Sequence, residues 1–180
     1  PLSPVLYTLY LAELLSMDTK KRFGYADDIC IYQASHSLDE NVQLLAADLR
    51  QIKAWGTTNK VTFAPEKQEM IHLTRQKSSY APPCVVDEQL TINPILPSGS
   101  RIPPALRWLG IWFDRKLTFK RHVSTHNAKA AKVANHIRSL ARTAYGPPAS
   151  SLRKATIACV YPSLLYGAEC WYRGRTKPPR

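Results

Sequence analysis

Six prolines fall within residues 76–105 (Pro82, Pro83, Pro94, Pro97, Pro103 and Pro104), and they rule out a long helix there. Each proline ring fixes φ and removes a backbone donor, so a helix would lose a hydrogen bond and gain a clash at each one. The stretch predicts a connector and divides the chain into 1–75, 76–105 and 106–180. Within the connector, residues 85–86 and 90–92 suit short strands. The flanking parts differ in charge. Residues 1–100 carry 9 basic and 11 acidic side chains, whereas residues 101–180 carry 16 basic and only 2 acidic ones, Asp114 and Glu169. The +12 charge of the 180-residue chain is therefore confined to its last 80 residues. Such a balance points to a polyanionic partner, nucleic acid first and an anionic membrane surface second. An apolar fraction of 44% is enough for a buried core and excludes a disordered tail.

Hydrophobic spacing then assigns the elements, and their mixture predicts an α+β chain. Residues 4–16 read as a helix, too short to span a bilayer and interrupted by Glu13. Residues 22–34 read as two short strands around a turn. Ser37 and Glu40 have the spacing of a capping box, followed by Val42, Leu45, Ala46, Leu49, Ile52 and Trp55 at helical period, with Gly56 as the expected stop. Residues 61–63 and 70–73 suggest a second hairpin around Pro65, and 106–113 a single strand containing Gly110. The strongest helix is 119–145. Phe119, Val123, Ala130, Val133, Ile137, Leu140 and Ala144 form its expected apolar face, with Lys120, Arg121, Lys129, Lys132, Arg138 and Arg142 mostly off it. Gly146, Pro147 and Pro148 end it. A further helix over 149–161 meets Pro162, where a break or kink is expected before 164–171. The chain begins at Pro1, which predicts a cut inside a longer polypeptide. Cys30, Cys84, Cys159 and Cys170 form no CxxC pair, so reduced thiols in an intracellular protein are expected and a zinc site is not.

The sharpest chemical signal is Asp27-Asp28. Two adjacent carboxylates in a hairpin turn repel one another, and a divalent cation between them would remove the conflict. Mg²⁺ suits such a site, because it binds through one or two carboxylates and keeps its remaining positions for water and substrate phosphate. An ordinary polar turn is the alternative, and the dipeptide alone would favour it. The frame argues otherwise, since aromatic and β-branched strands flank the pair and no other Asp, Glu, Lys or Arg lies between Arg22 and Asp39.

Phe23-Gly24-Tyr25-Ala26-Asp27-Asp28 resembles the YADD box of reverse transcriptases. Residues 1–7 (PLSPVLY) resemble the end of the preceding family motif. Trp55 with residues 63–67 (FAPEK) resembles the following one, with Lys67 in the place of its lysine. Residues 107–111 (RWLGI), 117–119 (LTF) with His122, and 158–172 resemble the segments after the palm in non-LTR, LINE-like (jockey- or I-type) retrotransposon enzymes. Group II intron and telomerase-like relatives share YADD-type boxes, and these later segments favour the LINE-like group.

This resemblance implies a right-handed polymerase, with residues 1–75 as part of the palm and 106–180 as a palm–thumb strand followed by a basic helical thumb. It implies two-metal nucleotidyl transfer in the full-length parent, with Asp27 and Asp28 holding Mg²⁺ or, alternatively, Mn²⁺. Lys67 would lie near the triphosphate, Tyr25 beside the sugar, and Trp108 and Gly110 near the primer end. The partners implied are an RNA template, a DNA primer and a dNTP, with a nuclear location suiting a retroelement product. The family's further aspartate, carried on an upstream strand, has no counterpart in these residues. The chain alone is therefore expected not to polymerise.

The basic residues have a reading of their own. Lys120, Arg121, Lys129, Lys132, Arg138 and Arg142 could neutralise phosphates and release counterions. A solvated face is the alternative, but such faces mix signs, and no Asp or Glu occurs between Arg115 and Ala168. A non-catalytic nucleic-acid-binding module is thus the second expectation. A membrane-surface protein is a weak third, because the apolar face of the helix is mainly alanine and valine and not a row of Trp and Phe anchors. His122 and His126 are four apart, but Val123 stands where a zincin needs Glu, so no metal site is expected there.

Overall fold

The computed structural model describes residues 3–18, 21–77, 79–96, 98–141, 145–172 and 174. It is a mixed α+β structure with three antiparallel two-stranded sheets, and the chain divides into two compact units. The first comprises Pro1–His72 and Ser78–Ile95, the second Leu73–Lys77 and Leu96–Arg180.

The first unit opens with helix α1 (Ser3–Ser16), which is apolar around most of its circumference. Strands β1 (Arg22–Tyr25) and β2 (Asp28–Ile31) follow as a hairpin, then helix α2 (Leu38–Thr58). Ser37 caps α2 and accepts from the Asp39 N–H, and Asp39 and Glu40 place negative charge at the positive end of the helix dipole. Leu11, Leu14, Ile52 and Trp55 form one buried cluster, closed by Ile29, Ile31, Val61 and Phe63. A second cluster on α2 joins Ala46 to Cys84, Val86 and Ile92, beneath strands β3 (Cys84–Val85) and β4 (Thr91–Ile92). These two strands pair antiparallel inside the expected connector.

Two local expectations differ from the structure here. Gly56 does not stop α2, which runs on to Thr58. It lies inside the helix because a Cβ there would stand 2.8 Å from both the Phe63 ring and the Val61 carbonyl oxygen. Residues 61–63 and 70–73 form no hairpin. Pro65–Lys67 is a 3₁₀ turn, and Met70 makes only an isolated parallel bridge to Pro94. The first apolar run is consumed by packing Val61 and Phe63 onto the α1–α2 cluster, not by strand pairing.

The second unit begins with strands β5 (Ala105–Trp108) and β6 (Ile111–Asp114). The expected single strand over 106–113 is instead a hairpin, because Leu109 (φ 47°) and Gly110 (φ 81°) are both left-handed. Two such residues make a tight turn whose twist matches its flanking strands. Helix α3 (Lys120–Leu140) follows. Its buried stripe is His122, His126 and Ala130, whereas Val123 is exposed, so the inward face is rotated from the expected one. Polar histidines occupy it because both find backbone partners. His122 Nδ1 accepts from the Trp112 N–H at 3.4 Å, and its Nε2 lies 2.9 Å from the Tyr166 carbonyl. His126 Nδ1 lies 2.8 Å from the Ser163 carbonyl. Ala144 of the expected face lies outside the described residues.

Helix α4 (Ala149–Ala155) widens into a π turn over Thr156–Val160 and continues as α5 (Tyr161–Leu164). Pro162 sits in the first turn of α5, and the wide turn before it accommodates the ring and missing donor. The helix ends at Leu164, and Gly167 (φ 63°) leads into α6 (Ala168–Trp171). Among the described residues, no helix is long and apolar enough to cross a membrane.

Candidate active-site turn and nucleic-acid interface

The β1–β2 hairpin pairs Tyr25 with Asp28 and Phe23 with Cys30, leaving Ala26 and Asp27 as its two-residue loop. Ala26 takes a left-handed φ of 53°, a conformation that costs a β-carbon about 1–2 kcal/mol. Alternation along the strands gives the hairpin two unlike faces. Arg22, Gly24, Ile29 and Ile31 face inward. A Cβ on Gly24 would stand 2.5 Å from Leu15 Cδ1, so the Leu15 side chain would have to shift to admit one. Arg22 is buried, paired with Asp48, and donates to the Leu14 carbonyl at 3.0 Å and to Gln51 Oε1 at 3.2 Å. The guanidinium therefore ties the hairpin to both helices.

The outward face carries Phe23, Tyr25, Asp28 and Cys30. Phe23 stacks on Tyr32 with ring centroids 5.8 Å apart and planes at 15°. Tyr25 is 66% exposed, far more than core packing would leave. Asp27 and Asp28 are both exposed, and neither makes an ion pair with a described residue. Burial pushes the Cys30 thiol up, so it stays protonated at neutral pH and is a poor metal ligand. What remains at the turn is two hard, unpaired carboxylates beside an aromatic surface. That donor set fits Mg²⁺, which takes part of its shell from protein and the rest from water and phosphate. Among the described residues no group of three or more His, Cys, Asp or Glu converges, so the carboxylates supply only part of a coordination shell. Lys67 is exposed at the end of the 3₁₀ turn, and among the described residues it makes no ion pair.

The remaining predicted residues lie in the second unit. Trp108 ends β5 half-buried, and its indole N–H has no acceptor among the described residues. Gly110 stands at the hairpin tip, where a Cβ would lie 3.0 Å from the Tyr166 ring and hydroxyl. The Tyr166 hydroxyl also donates to the Leu109 carbonyl at 2.8 Å. Close approach at Gly110 is thus made by Tyr166 of the chain itself. Arg121 stacks over Trp112 at 4.4 Å, with Arg107 near the same ring at 5.7 Å. Lys120, Lys129, Lys132 and Arg138 are exposed along α3. At about 3.6 residues per turn, Lys120 and Arg138 lie on one flank of the buried stripe and Lys129 and Lys132 on the other. Arg142 lies outside the described residues.

One acid of this unit is unavailable at the surface, which sequence alone did not show. Asp114 is 1% exposed and accepts from Thr118 N, Thr118 Oγ1 and Phe119 N at 3.0, 3.0 and 2.6 Å, and from Lys116 N at 3.2 Å. It fixes the loop that enters α3. Glu169 is then the sole exposed carboxylate among the described residues of this unit.

The chain is 26% identical over 182 aligned residues, 94% of its length, to "Probable RNA-directed DNA polymerase from transposon BS" of Drosophila melanogaster. It is similar to transposon RNA-directed DNA polymerases. A second relative of that kind, from the Drosophila transposon X-element, is also 26% identical over 94% of the chain. The chain spans 19% and 18% of the length of these two curated relatives. No family model matches it, and no solved structure does. The alignment takes in both units, so the exposed carboxylate turn and the basic α3 both fall within the shared stretch. Sequence reasoning did not find Arg75, Arg115, Lys116 and Trp171, which line one cleft in the second unit. They are too far apart along the chain for spacing to associate them.

Proposed function

We propose that the chain is a segment of a retrotransposon reverse transcriptase, with part of the palm in 1–75, a connector in 76–105 and a nucleic-acid-binding thumb region in 106–180. The observation that carries this reading is the Asp27-Asp28 pair at an exposed hairpin turn, within a chain similar over 94% of its length to transposon RNA-directed DNA polymerases. Asp27 and Asp28 would hold Mg²⁺, which in such enzymes activates the attacking oxygen and neutralises charge on the departing pyrophosphate. The chain's own residues serve around it. The open aromatic face of β1–β2 offers Tyr25 as a packing surface for a sugar. Lys67 supplies a positive charge for the triphosphate. Lys120, Arg121, Lys129, Lys132 and Arg138 contact the phosphates of an RNA–DNA hybrid. Exposed Val5, Leu6 and Leu9 on α1, 59–66% accessible, support a further apolar surface packing there in the parent enzyme.

The 180-residue chain alone is inactive in this reading, because the family's further aspartate has no counterpart in these residues and two carboxylates make a poor two-metal site. Purified protein given a primed RNA template, dNTPs and Mg²⁺ should extend nothing. Extension that Asp27→Ala abolishes would overturn this. The second reading, a non-catalytic nucleic-acid-binding module, is favoured by the near-absence of acids on the second unit. An in-frame upstream strand bearing an aspartate in the encoding DNA would decide for the polymerase. Hybrid binding across a salt series tests what both readings share, and a flat response would refute both.

A further inference from the structure

The second unit contains a cleft of about 500 Å³ that neither the carboxylate turn nor the exposed face of α3 accounts for. Arg75, Arg115, Lys116, Thr118, Phe119 and Trp171 line it. Its walls come from three distant parts of the sequence. The Thr74 N–H donates to the Arg115 carbonyl at 2.9 Å, which lays residues 73–75 beside the loop leaving β6. That loop is held by Asp114, and it keeps Leu117 (φ 52°) and Phe119 (φ 56°) left-handed. Strained residues persist only where the surroundings over-determine them, and they cluster at functional sites. The third wall is α6, where Trp171 donates its indole N–H to the Tyr166 carbonyl at 3.4 Å.

The lining is chemically one-sided. Among the described residues, three cations converge and no carboxylate lines the cleft. Of the two acids adjacent along the chain to lining residues, Asp114 is buried and fully engaged with the loop's own donors, and Glu169, next to Cys170, is exposed and outside the lining. A lining of this charge selects an anion, and two aromatic rings at the same cleft select a flat ligand. Phosphate charge and a π-face together are what one nucleotide of a nucleic-acid strand offers. The volume suits one such unit, within the range of about 300–1,000 Å³ typical of ligand sites, and is too small to admit a duplex.

We infer that this cleft binds single-stranded nucleic acid, holding a backbone phosphate between Arg75, Arg115 and Lys116 while a base stacks on Trp171. The inference deepens the nucleic-acid reading above and rests on it, but α3 and the cleft can fail separately. In the parent enzyme the cleft would hold an unpaired template or primer overhang while α3 holds the hybrid.

The test uses the full 180-residue chain and a fluorescent oligothymidylate of about 12 nucleotides, within the span of single-strand sites. Trp171→Ala should weaken its binding about five-fold or more. Arg75→Gln with Lys116→Gln, both at exposed positions, should weaken it and reduce the log–log salt slope by up to about 0.7, the share of the one phosphate left without these cations. The same double variant should leave RNA–DNA hybrid binding within about two-fold, whereas Lys129→Gln with Lys132→Gln should do the reverse. Oligothymidylate affinity and salt slope unchanged in the Arg75/Lys116 variant would overturn the inference, whatever happens to Trp171→Ala. Equal losses of hybrid and single strand would also overturn it, as would efficient displacement of the oligonucleotide by thymidine triphosphate, which would assign the cleft to a free nucleotide.

Discussion

Removal of the Asp114 carboxylate should unfasten the start of α3. Asp114→Ala deletes one acceptor group that serves four donors: three backbone N–H groups and the Thr118 hydroxyl. Lys116 and Thr118 are exposed, so water can replace much of what their groups lose. Phe119 is half-buried and its N–H makes the shortest of the four bonds, so it would be left with little solvent to turn to. Hydrogen bonds to a charged group contribute about 1.5–3 kcal/mol net, and an orphaned buried donor costs about 1–3 kcal/mol. Allowing for water at the two exposed positions, the loss comes to about 3–5 kcal/mol. Domain stabilities run from about 5 to 15 kcal/mol, so this is a large fraction. The left-handed Leu117 and Phe119 would lose their constraint at the same time. Urea unfolding of the intact chain, followed by tryptophan emission and near-ultraviolet circular dichroism, measures the change. Asp114→Asn keeps the shape and one carbonyl oxygen, and should fall between wild type and Asp114→Ala. A loss below about 1 kcal/mol for Asp114→Ala would refute the claim that this carboxylate holds the loop.

Two further outcomes follow from the first unit. Asp48→Ala leaves the Arg22 guanidinium buried without its charge partner, and should destabilise the unit by about 3–5 kcal/mol in thermal or denaturant unfolding. Arg22→Met combined with Asp48→Leu should recover much of that loss, because it removes both charges. Asp87 is held below the ordinary carboxylate range by the Lys53 ammonium at 2.5 Å and by the Gln89 and Leu90 N–H groups at 2.9 Å. Its folded-state value is depressed, so its contribution is full above the unfolded value near 3.9 and is lost as pH falls through the folded one. Amide exchange at Gln89 and Leu90 should therefore quicken below about pH 4 relative to the protein's other turns, and Asp87→Asn should remove that pH dependence.

Much of the first unit was legible in the sequence because its signals are local. The capping serine before α2, the helical period of Leu45, Leu49 and Ile52, and the strand–turn–strand around Asp27 each lie within a few residues of their cause. The turn at Leu109-Gly110 was read as strand, since apolar residues flank it on both sides and leucine gives no hint of a left-handed φ. The face of α3 was misjudged for a related reason. Histidine is polar in any hydropathy scale, yet His122 and His126 are buried because backbone groups of Trp112, Tyr166 and Ser163 bond to them. Those partners stand up to 44 residues away along the chain.

The sequence alone determined the chemistry available to this protein: two adjacent carboxylates in a turn, a proline-rich stretch that excludes a long helix, and a positive charge confined to the last 80 residues. It did so because composition and short-range spacing suffice to say which groups exist and which local conformations they favour. Only the tertiary structure decided which groups are free to act. It buried Asp114 under its own loop, turned Asp28 and Tyr25 outward on one hairpin face, and gathered Arg75, Arg115 and Trp171 into one cleft. Burial and long-range backbone hydrogen bonds make those choices, and both depend on residues that are near one another only in the folded chain.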